Sequence, residues 1–179
     1  MSLHGTFWQH WRQKDSEAFE RFLTRAFVDL LQRLSNSDRG RHMVRDLIIK
    51  VLLASPRRTV GKTENEAWER FRRRINSAES FEWAPEVPIR IQAEAGCVDI
   101  YLSLDNAPVL VVENKITADV PEGQLEKYGG WLANNGVSDA ALVLLTHSTA
   151  PPVEFLEPGK QKRYGVHLRS VCSWLEVYE

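Results

Sequence analysis

The spacing of apolar residues changes period part-way along this 179-residue chain, and that change most limits what the chain can fold into. In the first half the spacing is three and four residues, the mark of helices that bury one face. Over Asp15–Leu34 the stripe is Phe19, Phe22, Leu23, Ala26, Phe27, Leu30, Leu31 and Leu34, with Asp15 or Ser16 placed to cap its start. A polar break at Ser35-Asn36-Ser37-Asp38 precedes a second helix over Arg41–Ala54. Its Val44, Leu47, Ile48, Val51 and Leu52 share a face, and Pro56 follows its end. A third helix over Glu64–Ile75 turns Trp68, Phe71 and Ile75 inward.

After Pro85 the period becomes two. Val87, Ile89 and Ile91 alternate with Pro88, Arg90 and Gln92, which predicts a strand, and Pro88 places it at a sheet edge or strand start. Val98–Leu104 and Pro108–Ile116 follow as strands joined through Asp105-Asn106-Ala107. Asp119–Asn134 reads as a helix capped by Asp119, with Pro121 and Glu122 in its first turn and Asn134-Asn135-Gly136 at its end. Ala140–Thr146 is an apolar strand suited to a buried position. Tyr164–Leu168 is expected as a fifth strand and Ser170–Tyr178 as a short helix. A meander followed by a helical crossover predicts an α/β fold, with a mixed β-sheet flanked by helices and a helical N-terminal part. The length suits one domain over residues 1–179, and the ending Leu175-Glu176-Val177-Tyr178-Glu179 is also compatible with a piece of a longer protein.

Composition excludes several classes. No apolar run approaches the roughly 20 residues of a membrane span, and Met1–Trp11 has no signal-peptide core, so the default expectation is a cytoplasmic protein without membrane contact. The two cysteines, Cys97 and Cys172, form no CxxC pair and read as small core residues. Net charge is −1 but uneven: residues 1–90 carry 17 Lys+Arg against 12 Asp+Glu, and residues 91–179 carry 6 against 12. The basic half permits contact with a polyanion, although solvated helix faces are the simpler account of such charge.

Two acids interrupt apolar strands. Asp99 stands in Val98-Asp99-Ile100-Tyr101-Leu102, and Glu113-Asn114-Lys115 ends Val109-Leu110-Val111-Val112. Alternation puts Glu113 and Lys115 on one face and the Asn114 side chain on the other. Whether Asp99 joins them depends on the hairpin. A two-residue turn at Asn106-Ala107 sets Asp99 opposite Asn114, whereas a three-residue turn at Asp105-Asn106-Ala107, or an equivalent bulge, sets it opposite Glu113. We expect the second arrangement, because two adjacent carboxylates and an amine form a site for a divalent cation, and Mg²⁺ takes one or two carboxylates together with water and phosphate oxygens. A structural ion pair at a strand end is the competing explanation.

Residues Ala95–Leu132 resemble the PD-(D/E)XK nuclease superfamily, in particular a bacterial branch with a D…ENKI…QLxxY pattern. The matching residues are Asp99, Glu113-Asn114-Lys115-Ile116 and Gln124-Leu125-Glu126-Lys127-Tyr128, with Arg21-Phe22-Leu23-Thr24 of the first helix also similar. The resemblance implies a restriction-endonuclease-like fold and a nuclease hydrolysing phosphodiester bonds, with DNA as partner and Mg²⁺ or Mn²⁺ as cofactor. Asp99 and Glu113 would be metal ligands, with the Asn114 backbone carbonyl, and Lys115 would be the catalytic lysine. Gln124 and Tyr128 would approach the substrate. Val98 replaces the proline of the family name, and either Glu20 or Glu17 would supply a first-helix ligand. The alternative is a module that keeps the fold for nucleic-acid or protein binding without catalysis. Oligomeric state stays open, a homodimer being one option. Phe7, Trp8 and Trp11 are expected to anchor the N-terminal segment, and His4, His10, His42, His147 and His167 show no ligand spacing.

Overall fold

The computed structural model describes residues 16–54, 58–91, 94–116, 119–147, 150–152 and 154–178. The expectations for His4, Phe7, Trp8, His10, Trp11, Asp15 and Pro56, and for the Glu17 side chain, lie outside the described residues.

The chain opens with α1 (Ser16–Ser35), α2 (Asp38–Asp46) and α3 (Lys62–Ser77). α2 continues into wider π-helical turns over Leu47–Leu52. Five strands follow: β1 (Phe81–Ile91), β2 (Glu94–Leu104), β3 (Ala107–Lys115), β4 (Ala141–Thr146) and β5 (Leu168–Ser173). α4 (Gln124–Asn135) connects β3 to β4, a short α5 (Gln161–Tyr164) precedes β5, and α6 (Trp174–Tyr178) follows it. The strands lie in sequence order, β1–β2–β3 antiparallel and β3–β4–β5 parallel. This is the expected mixed sheet between helical layers. One face packs on α1, α2 and α3 through Phe27, Leu31, Ile48, Phe71, Leu102 and Val112. The other packs on α4 and the loop between β4 and α5 through Val111, Leu125, Leu132, Leu144 and Phe155.

Several boundaries differ from the sequence expectation for identifiable reasons. α2 starts at Asp38 rather than Arg41, because the Ser37 side chain accepts the Gly40 N–H as an N-cap. In α1, Phe22 and Leu30 are exposed and Ala26 faces outward, while Thr24 and Val28 point inward. α4 begins at Gln124 rather than Asp119. Pro121 belongs to the preceding turn, where its carbonyl accepts the Gln124 N–H, and Gly123 adopts φ 77°, which ends any helix from before it. Tyr164–Leu168 is not a strand. Tyr164 closes α5, Gly165 caps it with φ 73°, and the strand begins only at Leu168, opposite Ala141. Ser170 is consequently in β5, not in a helix. The burial of Arg169 follows from the same shift: it is fully buried and donates to the carbonyls of Phe155, Val166 and Glu157. Cys172 is a core residue, but Cys97 is exposed.

The hairpin that sets the site uses a bulge instead of a three-residue turn. Asp105 and Asn106, with φ 50° and 66°, form a two-residue turn that pairs Leu104 with Ala107. The register then shifts by one between Leu102 and Ser103, so that Leu102 pairs Leu110 and Ile100 pairs Val112. Continued by one step, this register sets Asp99 opposite Glu113.

Candidate active site

The site forms where β2 is kinked and β3 ends. Glu86 of β1 has φ 51°, and the β1–β2 pairing runs from Pro85↔Ile100 to Val87↔Val98 without including Glu86 and Asp99. Side chains exchange faces at this point. Phe81, Trp83, Ile100 and Leu102 join the core under α1, whereas Ile89 and Val98 join the core under α4. A backbone kink of this kind re-aims a side chain. Here the Asp99 carboxylate reaches across to β3, where its Oδ2 accepts the Asn114 backbone N–H at 2.8 Å.

Glu113 is fully buried at the end of an apolar strand. Lys115 Nζ lies 2.9 Å from Glu113 Oε1, close enough for an ion pair, yet neither Glu113 oxygen accepts a well-oriented hydrogen bond. Burial, and then the Asp99 charge, push the Glu113 carboxyl up to about 8 against the opposing pull of Lys115. Asp99 is also raised, first by burial, although the Asn114 N–H and Lys115 pull it down. Burial works to lower Lys115, but Glu113, Asp99 and Glu20 hold it above its ordinary value. Two acids sharing a dry strand end with one ammonium thus carry an unresolved electrostatic conflict.

A cleft of about 200 Å³ opens this cluster to solvent, walled by Glu20, Arg21, Glu86, Asp99, Asn114 and Lys115, with Thr24 at its floor. Glu20 Oε1 accepts the Ile116 N–H at 2.8 Å, which brings the first-helix carboxylate to the end of β3. Arg25 Nε donates to Glu86 Oε2 at 2.8 Å across the cleft edge. On α4, Tyr128 is buried and donates its hydroxyl to the Cys97 carbonyl at 2.6 Å, while Gln124 Nε2 donates to the Tyr128 oxygen at 2.9 Å. Burial and then the Glu113 charge raise the Tyr128 phenol.

The strand ends and α4 therefore bring Asp99, Glu113, Lys115, Gln124 and Tyr128 into one neighbourhood, with Glu20 alongside. Among the described residues no three His, Cys, Asp or Glu side chains form a ready-made metal cage. The donor set still fits a hard cation. Two carboxylates meet where one is buried opposite Lys115 without a well-oriented hydrogen bond, and Mg²⁺ commonly completes such a pair with water and substrate oxygens. The sequence reading missed Glu86, whose signal was an acid between Pro85 and Pro88 in a strand. It also missed Thr24 and Trp174, which meet the Asn114 side chain. Much of the arginine clustering is structural. Arg45 donates to the Ile75 and Ala78 carbonyls, Arg58 lies over Trp68, and Arg74 pairs with Asp139.

A mixed sheet between helices, with Asp99 and Lys115 lining a cleft and Glu113 buried behind them, defines the class as α/β with a nuclease-type fold. The chain belongs to the PD-(D/E)XK nuclease superfamily, whose family model matches residues 28–170. The match begins within α1 and so leaves Glu20 and Arg21 outside it. No curated protein and no solved structure matches the chain. Among the described residues no helix is long and apolar enough to cross a membrane.

Proposed function

We propose that this protein is a Mg²⁺- or Mn²⁺-dependent nuclease that hydrolyses phosphodiester bonds in DNA. What supports this reading is the buried Glu113 carboxyl, repelled by Asp99, paired with Lys115 and lacking a well-oriented hydrogen bond, behind a cleft open to solvent. Asp99 and Glu113 would hold the cation, with the Asn114 backbone carbonyl, and Glu20 would stand by as a further carboxylate. When bound, the cation neutralises the paired carboxylates and makes a nearby water more acidic. Lys115 places a positive charge beside the attacked phosphate and orients the incoming water. Arg21, on the cleft wall, is the guanidinium best placed to meet the nucleic-acid backbone. On α4 the substrate-side role falls to Gln124 and Tyr128, which are hydrogen-bonded to each other and, through the Tyr128 hydroxyl, to the Cys97 carbonyl of β2.

Plasmid cleavage tests the reading. Supercoiled DNA should be nicked or linearised with Mg²⁺ or Mn²⁺ and left intact with chelator, and Glu113→Ala and Lys115→Ala should abolish cutting while keeping native circular dichroism. Variants that cut as well as the unaltered chain would remove these residues from the chemistry. A folded protein that binds DNA without cutting it under any metal condition would leave a binding module instead.

A further inference from the structure

The middle residue of Glu113-Asn114-Lys115 borders the cleft, but its side-chain amide is buried in the protein, where it joins its own strand to two helices. The Asn114 side chain is buried between β3, α1 and α6. Its amide nitrogen donates to Thr24 Oγ1 at 2.9 Å and to the Glu20 carbonyl at 3.4 Å. Its amide oxygen accepts the Trp174 indole N–H at 2.8 Å. Its backbone N–H is the donor that holds Asp99. One residue thus ties together the strand carrying Glu113 and Lys115, the carboxylate of Asp99, the helix carrying Glu20, and the C-terminal segment. Trp174 is itself almost fully buried and stands edge-on to Phe27 of α1, with ring centroids 5.3 Å apart.

We propose that Asn114 is a positioning residue of the candidate active site, with Thr24 and Trp174 acting through it to fix β3 relative to α1. The proposal rests on the nuclease reading above for its consequence in catalysis, but not for its consequence in metal binding. An asparagine suits the task because it presents a donor and an acceptor in one plane, and here it uses both. Thr24 Oγ1 and the indole N–H leave that plane few alternative orientations, so the flanking residues inherit a fixed direction. The geometry matters because catalytic groups must be held to a fraction of an ångström, and a displacement of about 1 Å can cost roughly 100-fold in rate. Thr24 lines the cleft floor without charge, whereas Trp174 lies outside the lining, so Trp174→Phe isolates the transmitted effect.

Three conservative replacements test this. Trp174→Phe keeps the aromatic packing and removes the N–H. Thr24→Val keeps the shape and removes the hydroxyl, and Thr24→Ser restores it. The first readout is direct Mn²⁺ binding, followed by electron paramagnetic resonance of the free ion, with Asp99→Asn as the reference for a lost ligand. The second is cleavage resolved into kcat and KM. Trp174→Phe and Thr24→Val should weaken Mn²⁺ binding about tenfold and lower kcat at saturating metal about tenfold. The KM for DNA should stay within twofold, and Thr24→Ser should recover both properties. Thermal melts identify any variant that has simply unfolded, and the remaining variants decide the matter. Native-like variants with unchanged Mn²⁺ affinity overturn the proposal, as does a Thr24→Ser variant no better than Thr24→Val. If the unaltered chain binds Mn²⁺ and cuts nothing, the nuclease reading fails while the binding series still judges the positioning role. If it binds no Mn²⁺ at all, the positioning role falls as well.

Discussion

Replacing Glu113 by glutamine should stabilise the metal-free protein increasingly as pH rises. The native carboxyl is fully buried and held near 8 in place of an ordinary 4.5. The unfolded chain exposes an ordinary carboxyl. Between about pH 4.5 and pH 8 the native state therefore keeps a proton that the unfolded state has released, and stability falls as pH rises. Each pH unit across that window is worth about 1.4 kcal/mol. The native state thus forfeits about 3 kcal/mol between pH 4.5 and pH 7 through this group alone. Glutamine has nearly the same shape and no charge to bury, so it escapes the loss. Urea denaturation of both proteins in chelator at pH 5, 6, 7 and 8 reads the difference. The variant should gain on the wild type by up to about 1.4 kcal/mol per pH unit and level off near pH 8. Saturating Mg²⁺ should cancel most of that advantage at pH 7, since a ligand bound only to the native state adds about 2.7 kcal/mol at a hundredfold excess over Kd. A stability difference that stays flat from pH 5 to pH 8 in chelator would refute the argument that burial and Asp99 suppress Glu113 ionisation.

Three further predictions concern the frame around the site. Arg169→Met should cost about 3–5 kcal/mol in urea denaturation, because it strands the Phe155, Val166 and Glu157 carbonyls that Arg169 now serves. Gly129→Ala should destabilise by more than 2 kcal/mol despite the better helix propensity of alanine. A Cβ there would fall 1.6 Å from the Tyr164 carbonyl oxygen, so α4 and α5 must part, and a melting temperature at or above wild type would contradict this. Asn106→Gly should stabilise by up to about 1 kcal/mol, since residue 106 sits at φ 66° in the two-residue turn, where glycine carries no Cβ strain.

The helical and strand halves of the chain are legible because burial imposes a period, and the meander and mixed character of the sheet follow from it. The chemical residues were legible for a different reason: charge inside an apolar strand is costly, so Asp99 and Glu113 stand out against Val98, Ile100 and Val109–Val112. What sequence could not supply was information carried by contacts between distant segments. The register that brings the acids together is expected from the chemistry of the acids, while periodicity does not report the bulge beside Pro108 that produces it. The start of α4 was misplaced because Asp119, Pro121 and Glu122 imitate a capped helix start, while Gly123 in the left-handed region overrides them. β5 was displaced because Arg169 and Ser170 look like surface residues until their carbonyl and strand partners are known. Thr24 and Trp174 carry no local mark of their role, since only the fold sets them against Asn114.

The most direct measurement is anomalous diffraction from crystals soaked in Mn²⁺, collected for the wild type and for Asp99→Asn. The account predicts one strong peak within coordination distance of both the Asp99 and Glu113 carboxylates in the wild type, and its loss in the variant. A wild-type map with Mn²⁺ only at surface carboxylates, and Glu113 still paired with Lys115 alone, would contradict it.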